Sequence, residues 1–220
     1  MPAYNEAPKI GRVILDITAK GYKNILVIDD GSRDNTARIA KNAGAEVLSH
    51  IINRGQGAAL RTGMKYLREA YNPDIIITFD ADGQHQIEDI PTLTQPIIEG
   101  NIDIVLGSRF LDKKTKIPLL RKMILKCGVI FTNTLSNIKL TDTHNGLRAL
   151  GKRAIESIKI SHRGMEHASD IVDEITKHKL RYKEIPVHIA YTDYSKQKGT
   201  NKNIDFIKMG IKILFNKIKS

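Results

Sequence analysis

The chain has one cysteine, no tryptophan and only 5% aromatic residues among its 220 positions. A single thiol excludes an internal disulfide and suits a reducing compartment. Cys127 lies in an apolar stretch, so a buried, unreactive thiol is expected there. The shortage of aromatics leaves little on which bases could stack, and no known nucleic-acid motif occurs, so nucleic acid is not an expected partner. No apolar run approaches the roughly 20 residues of a spanning helix, and no stretch reads as a signal peptide. A cytoplasmic location is the expectation. Low-complexity linkers and internal repeats are missing too. Acidic residues are scarce in the second half alone. Residues 1–110 carry 12 Lys+Arg against 14 Asp+Glu, whereas residues 111–220 carry 23 against 10. The net charge of +11 therefore belongs to the second half. Such a half attracts phosphate, whether of nucleic acid, anionic lipid or a phosphorylated substrate.

What is present is an alternation of strand and helix signals, which predicts a mostly parallel sheet flanked by helices. Strands are expected at 24–28, 46–49, 75–79 and 102–107, with helices between them from about Pro8 to Lys20, Thr36 to Asn42, Gly57 to Tyr71 and Pro91 to Glu99. Met1–Glu6 reads as the loop after a first strand that is not there, so the expectation is a sheet short of that strand or a truncated N-terminus. The second half is less regular. Helices are expected at 119–135, 152–158, 165–178 and 204–219, a polar loop at 142–148 and a strand at 182–190. The last helix sets Ile207, Ile211, Leu214 and Ile218 at helical spacing beside several lysines. It fits an anionic membrane surface or the protein's own core.

Polar motifs fall where strands should end, which in open α/β sheets is where ligands bind. Ile75-Ile76-Ile77-Thr78-Phe79 runs straight into Asp80-Ala81-Asp82-Gly83-Gln84. Two carboxylates so placed repel unless a cation lies between them, and a hard divalent ion that also grips phosphate oxygens suits the position. A solvated Asp-Gly turn fits as well. Asp29-Asp30-Gly31-Ser32 puts two acids at a second strand end, either to accept from a base or ribose or to cap the next helix. Asn53-Arg54-Gly55-Gln56-Gly57-Ala58 is a glycine-rich helix opening, able to approach phosphate or simply to turn. Arg109, in Gly107-Ser108-Arg109-Phe110, suits a phosphate. His85, His144 and His167 lack metal-ligand spacing and read as ordinary polar residues. Glu166 and Asp170 read as a solvated helix face.

In combination and order, Pro2-Ala3-Tyr4-Asn5-Glu6, Asp29-Asp30-Gly31-Ser32, Asn53-x-Gly55-x-Gly57-Ala58, Asp80-Ala81-Asp82-Gly83-Gln84, Gly107-Ser108-Arg109-Phe110 and Asp142-x-x-x-Gly146-Leu147-Arg148 resemble family 2 glycosyltransferases of the GT-A fold. The dolichyl-phosphate mannose and glucose synthase branch is the nearest match. The resemblance implies a GT-A domain over residues 1–200 and a basic amphipathic helix over 201–220. It also implies inverting, metal-dependent transfer of a hexose from a GDP- or UDP-linked sugar to a polyprenyl or dolichyl phosphate, at the cytoplasmic face of a membrane. On that resemblance Pro2, Tyr4, Glu6 and Asp30 hold the nucleoside, with Ile28 lining the base. Asp80 and Ala81 border the ribose and diphosphate. Asp82 and Gln84 ligate Mg²⁺ or Mn²⁺, and Arg109 contacts the diphosphate or the acceptor phosphate. Lys196 and Lys202 belong to a segment that closes over the donor, with Lys196 standing where the family has arginine. Arg121 and Lys122 are candidates for gripping the acceptor phosphate, and Asp142 for orienting the acceptor. A phosphate acceptor is already an anion and needs no strong general base. The rival reading, transfer to a hydroxyl of a saccharide or lipid-linked saccharide, needs one.

Overall fold

The computed structural model describes residues 1–190 apart from 113, 114, 116, 118 and 137. Lys196, Lys202 and the helix expected at 204–219 lie outside the described residues. The elements run β1 (Pro2–Ala3), α1 (Ile10–Ala19), β2 (Leu26–Asp29), α2 (Thr36–Asn42), β3 (Glu46–Ser49), α3 (Gln56–Ala70), β4 (Ile75–Thr78), α4 (Ile90–Ile98), β5 (Ile104–Ser108), α5 (Leu119–Ser136), β6 (Arg148–Gly151), α6 (Lys152–Ser157), α7 (His167–Lys177) and β7 (Tyr182–Pro186). They form two sheets. The first is wholly parallel, in the order β1-β2-β3. The second runs β4-β6-β5-β7, with β6 antiparallel to both neighbours and β5 parallel to β7.

Two strands depart from expectation. The segment expected as a loop carries a two-residue strand: Pro2 and Ala3 pair with Ile28 and Asp29, and the Met1 carbonyl accepts from the Ile28 amide at 2.9 Å. β6 starts at the last residue of the expected loop and fills the gap before the expected helix, where no strand is expected. Arg-Ala-Leu-Gly has no β-branched residue to announce a strand, and it forms one because both its edges find partners.

β5 and β6 are buried on both faces, as strands covered by helices must be. Ile104, Leu106 and Leu150 face Met64 of α3, Ile155 of α6 and Ile171 and Ile175 of α7. Val105 and Ala149 face the other way, onto Val13 and Ile17 of α1 and Leu93 of α4. Helix α7 also corrects the solvated-face reading. Glu166 and Asp170 are buried, and Asp170 accepts from the Ser161 and His162 amides at 2.8 and 2.7 Å, tying down the loop before the helix.

α5 behaves differently. Leu125, Val129, Thr132 and Ser136 are buried along one face, while Leu119, Met123 and Ile130 are 75, 58 and 66% exposed on the opposite side. Cys127 lies on the exposed side, so its thiol is not the buried one expected from its apolar neighbours. No helix among the described residues is long and apolar enough to cross a membrane.

Asp103 fastens the start of β5 to the start of β7. Its carboxylate accepts from the Arg181 amide (2.8 Å), the Arg181 guanidinium (2.8 Å) and Arg153 (3.0 Å). The hydrogen bonds from Arg181 hold the carboxyl below its usual range. A carboxyl whose folded value is depressed contributes stability that is present above the unfolded value and lost as pH falls through the folded one. Asp103→Asn should therefore lower stability at neutral pH by about 1–3 kcal/mol, read from urea midpoints. The gap to the parent protein should close as the pH drops through and below the ordinary carboxylate range.

Candidate active site

β4 ends at Thr78, and its rigid frame carries Asp80 to the rim of the sheet. One Asp80 oxygen accepts from Gln56 Nε2 at 3.1 Å and the other from His85 Nε2 at 3.1 Å. Gly146 lies flat against the same carboxylate: a Cβ there would stand 2.4 Å from an Asp80 oxygen. Gln56 opens α3. That helix start is pressed against the 162–164 loop so closely that a Cβ on Gly57 would meet the His162 carbonyl at 2.3 Å. The glycine-rich segment is thus a packing surface as well as a turn.

Asp30, at the end of β2, is 3% exposed. It accepts from the Arg54 and Gly55 amides at 3.0 and 2.7 Å and from His50 Nδ1 at 2.6 Å. The carboxylate clamps the Arg54–Gly55 turn at the cavity wall.

Arg109 and Asp142 form a buried ion pair, with Arg109 Nε 2.6 Å from the Asp142 carboxylate and side chains 8 and 1% exposed. The same oxygen accepts from the Arg109 amide, and the other from the His144 amide. Asp142 does not line the cavity. What the structure shows of Asp142 is that it holds Arg109, and a buried guanidinium must have a partner. Beside the pair lie two imidazoles and a second guanidinium. Burial pushes the His144 and His167 pKa values down to about 4, leaving both neutral near pH 7. Burial also lowers Arg148 to about 10, which leaves it charged.

These groups enclose a cavity of about 550 Å³. Pro2, Tyr4, Glu6, Asp30, Asp80, Ala81, Asp82, Gln84 and Arg109 all line it, so most residues singled out in the sequence meet at one place. Ile28 is buried behind this wall, with Leu26 and Ala59. Lys122 is exposed on α5 and does not line the cavity. The side chain of Arg121 lies outside the described part. Gln56, His85, His144, Arg148 and His167 line the cavity as well, although the sequence reading gave none of them a role. For His85 a signal was available, since it follows the acidic run at once. Gln56 and Asp80 are joined only by the fold.

Among the described residues, no group of three His, Cys, Asp or Glu side chains could hold a metal unaided. Asp82 accepts from the Gln84 amide at 3.1 Å, in a tight turn that keeps both side chains at the cavity wall. One or two carboxylates with an amide oxygen are an incomplete shell. That fits Mg²⁺ or Mn²⁺, which complete their coordination with substrate phosphates and water. Asp82 and Gln84 are the residues that would hold such an ion.

Gly146→Ala should leave the fold within about 1 kcal/mol of the parent, because the methyl meets a side-chain end and not backbone. The displaced Asp80 carboxylate should lower turnover by about 10²-fold, measured as steady-state rate beside a thermal melt. Wild-type turnover in the alanine variant would contradict this placement of Asp80.

Residues 1–158 match the family described as Glycosyl transferase family 2. The chain is 36% identical over 228 residues to the UDP-N-acetylglucosamine–dolichyl-phosphate N-acetylglucosaminyltransferase of Methanococcus voltae, spanning 94% of this chain and 90% of that one. It is 30% identical over 210 residues to the undecaprenyl-phosphate mannosyltransferase of Micrococcus luteus, spanning 90% of this chain and 85% of that one. Among solved structures it is similar to glucosyl-3-phosphoglycerate synthase from Mycobacterium tuberculosis in complex with Mn²⁺, UDP-glucose and phosphoglyceric acid. The TM-score is 0.69 at 17% identity, over 96% of this chain and 76% of that one. The two sheets with their flanking helices are thus a GT-A fold, and the chain belongs to glycosyl transferase family 2 as a glycosyltransferase.

Proposed function

We propose that this glycosyltransferase moves a hexose from a nucleoside diphosphate sugar to a polyprenyl or dolichyl phosphate at a membrane surface, inverting the anomeric carbon. The observation that carries the reading is one cavity in which the acidic end of β4, Asp80 to Asp82, faces the buried guanidinium of Arg109. A divalent ion bound there would neutralise charge on the leaving diphosphate. Arg109 adds a donor fixed in place before reaction, which stabilises developing negative charge at no cost of reorganisation. The state of four candidate bases supports a phosphate acceptor. His144 and His167 have pKa values near 4 and are weak bases, and the carboxylates of Asp30 and Asp142 are engaged by backbone amides and by His50 or Arg109. A phosphate oxygen needs no deprotonation, whereas a saccharide hydroxyl does. The names of the relatives in Methanococcus and Micrococcus, both lipid-phosphate glycosyltransferases, support the same acceptor class.

A lipid acceptor implies a membrane surface, and α5 is the element suited to meet it. Leu119, Met123 and Ile130 recur at helical spacing on its exposed side, with Lys122 and Lys126 flanking them. Apolar area together with lysines attracts anionic bilayers. Leu125, on the inner side of the same helix, lines the cavity.

A panel of GDP- and UDP-sugars with polyprenyl phosphate and Mg²⁺ or Mn²⁺ should release nucleoside diphosphate with at least one donor, and Asp82→Asn should lower that rate by about 10²-fold or more. Release only with a saccharide hydroxyl acceptor would select the alternative. Met123→Glu should weaken co-sedimentation with vesicles containing anionic lipid while leaving turnover of a short, soluble prenyl phosphate within about twofold, since the side chain points away from the cavity. Unchanged vesicle binding would remove α5 from the membrane surface.

A further inference from the structure

Arg148 is the charged group that the reading above leaves without a task. It stands on β6, opposite Thr78 of β4 and two residues short of the level of Asp80. Its side chain is 3% exposed and lines the cavity, and its Nη1 is buried with no hydrogen-bond partner. A buried guanidinium N–H left unmade is costly and is found where a ligand completes it. His167 lines the same wall. Its Nδ1 lies 2.9 Å from the Gly164 carbonyl, which can only accept. The ring proton is therefore on Nδ1, and Nε2 presents a lone pair.

We propose that Arg148 and His167 form the subsite for the donor sugar and read one uncharged hydroxyl of the hexose, which accepts from the guanidinium and donates to the imidazole. The assignment rests on the donor reading given above. With the nucleoside at the Pro2–Glu6 end and the diphosphate at Asp80–Asp82, the wall that remains contains Arg148, Met165, His167 and Ala168. Beside the apolar Met165 and Ala168, Arg148 offers a donor and His167 an acceptor, a pairing able to fix the orientation of a neutral ligand. Charge excludes an acidic sugar. The groups facing Arg148 are Asp80, Asp142, Arg109, His144 and His167. Around Arg148 itself two guanidinium groups meet two carboxylates, and both imidazoles are neutral, so its immediate surroundings are balanced before the sugar enters. A uronate would bring a charge with no partner of its own, which a buried site resists.

Calorimetric titration of the full chain with Mn²⁺ separates the possibilities, using nucleoside diphosphate alone and the same diphosphate bearing a neutral hexose. Arg148→Met keeps most of the buried volume. The ratio of hexose-donor affinity to diphosphate affinity should fall by about 10- to 100-fold in that variant, with diphosphate affinity itself within about threefold of wild type. A merely structural Arg148 would lower both affinities together, and an unchanged or jointly lowered ratio overturns the subsite. Should Arg148→Met fail to fold by thermal melt, His167→Gln is read in the same way, and an unchanged ratio there overturns the proposal equally. Tighter binding of a uronate-bearing donor than of the neutral hexose by the wild type also overturns it. Wild-type protein with no affinity for any nucleoside diphosphate overturns the donor reading itself, a result distinct from an unchanged ratio.

Discussion

The buried pair of Arg109 and Asp142 is the constraint on which the rest of the site depends. Taking two charges out of water is expensive, and the cost is recovered only if geometry and extra hydrogen bonds are both supplied. Asp142 supplies them by accepting from the Arg109 side chain, the Arg109 amide and the His144 amide. The end of β5 and the loop entering β6 are thereby locked together. That loop then delivers Gly146 against the Asp80 carboxylate, and Arg148 two residues later. One ion pair thus helps to fix the acidic strand end, its glycine backing and a second guanidinium.

The same economy governs the carboxylates. Asp30, Asp80 and Asp103 each accept from side chains or amides far away in sequence, and Asp170 from the loop just before its helix. Asp30 and Asp80 serve the cavity by fixing the loops around it, and Asp103 and Asp170 hold the frame behind. A cavity whose wall is held by charge-assisted hydrogen bonds keeps its shape when a charged donor enters. Electrostatic stabilisation of a leaving group requires that kind of fixed environment.

The parts legible in the sequence were those with a local signature. The apolar run into Asp80-Ala81-Asp82, the glycine-rich opening of α3 and the amphipathic helices all announce themselves within about ten residues. What stayed hidden was set by pairing at a distance. β1 is two residues long and exists because Ile28 and Asp29 give it partners. β6 has no strand-forming side chains and is a strand because β4 and β5 lie on either side. The roles of Gln56 and Arg148 depend on contacts across 24 and 68 positions, with Asp80 in each case. Glu166 and Asp170 looked solvated because charge normally seeks water; both are buried, and at Asp170 amides and a histidine replace the water. Cys127 was misplaced for the opposite reason: α5 carries apolar residues on two faces, and only one of them meets the core.

That second apolar face gives the charge asymmetry between the halves a physical sense. The acidic half builds β2 and β4, beyond whose ends Asp30, Asp80 and Asp82 reach the cavity, where on the proposed reading a cation would offset their charge and that of a diphosphate. The basic half builds α5, with Leu125 on the cavity and Met123 outside. A helix is about 10 Å across, so on the proposed reading a bilayer surface against α5 lies within one helix diameter of the reaction centre. A prenyl chain could then stay in the bilayer while its phosphate reaches the cavity. The apolar tail would not have to be drawn into water, at a cost of about 0.8 kcal/mol for each exposed CH₂. Surface and cavity are in that sense two sides of one helix, and the placement of α5 is as much a requirement of the acceptor's solubility as of the protein's own packing.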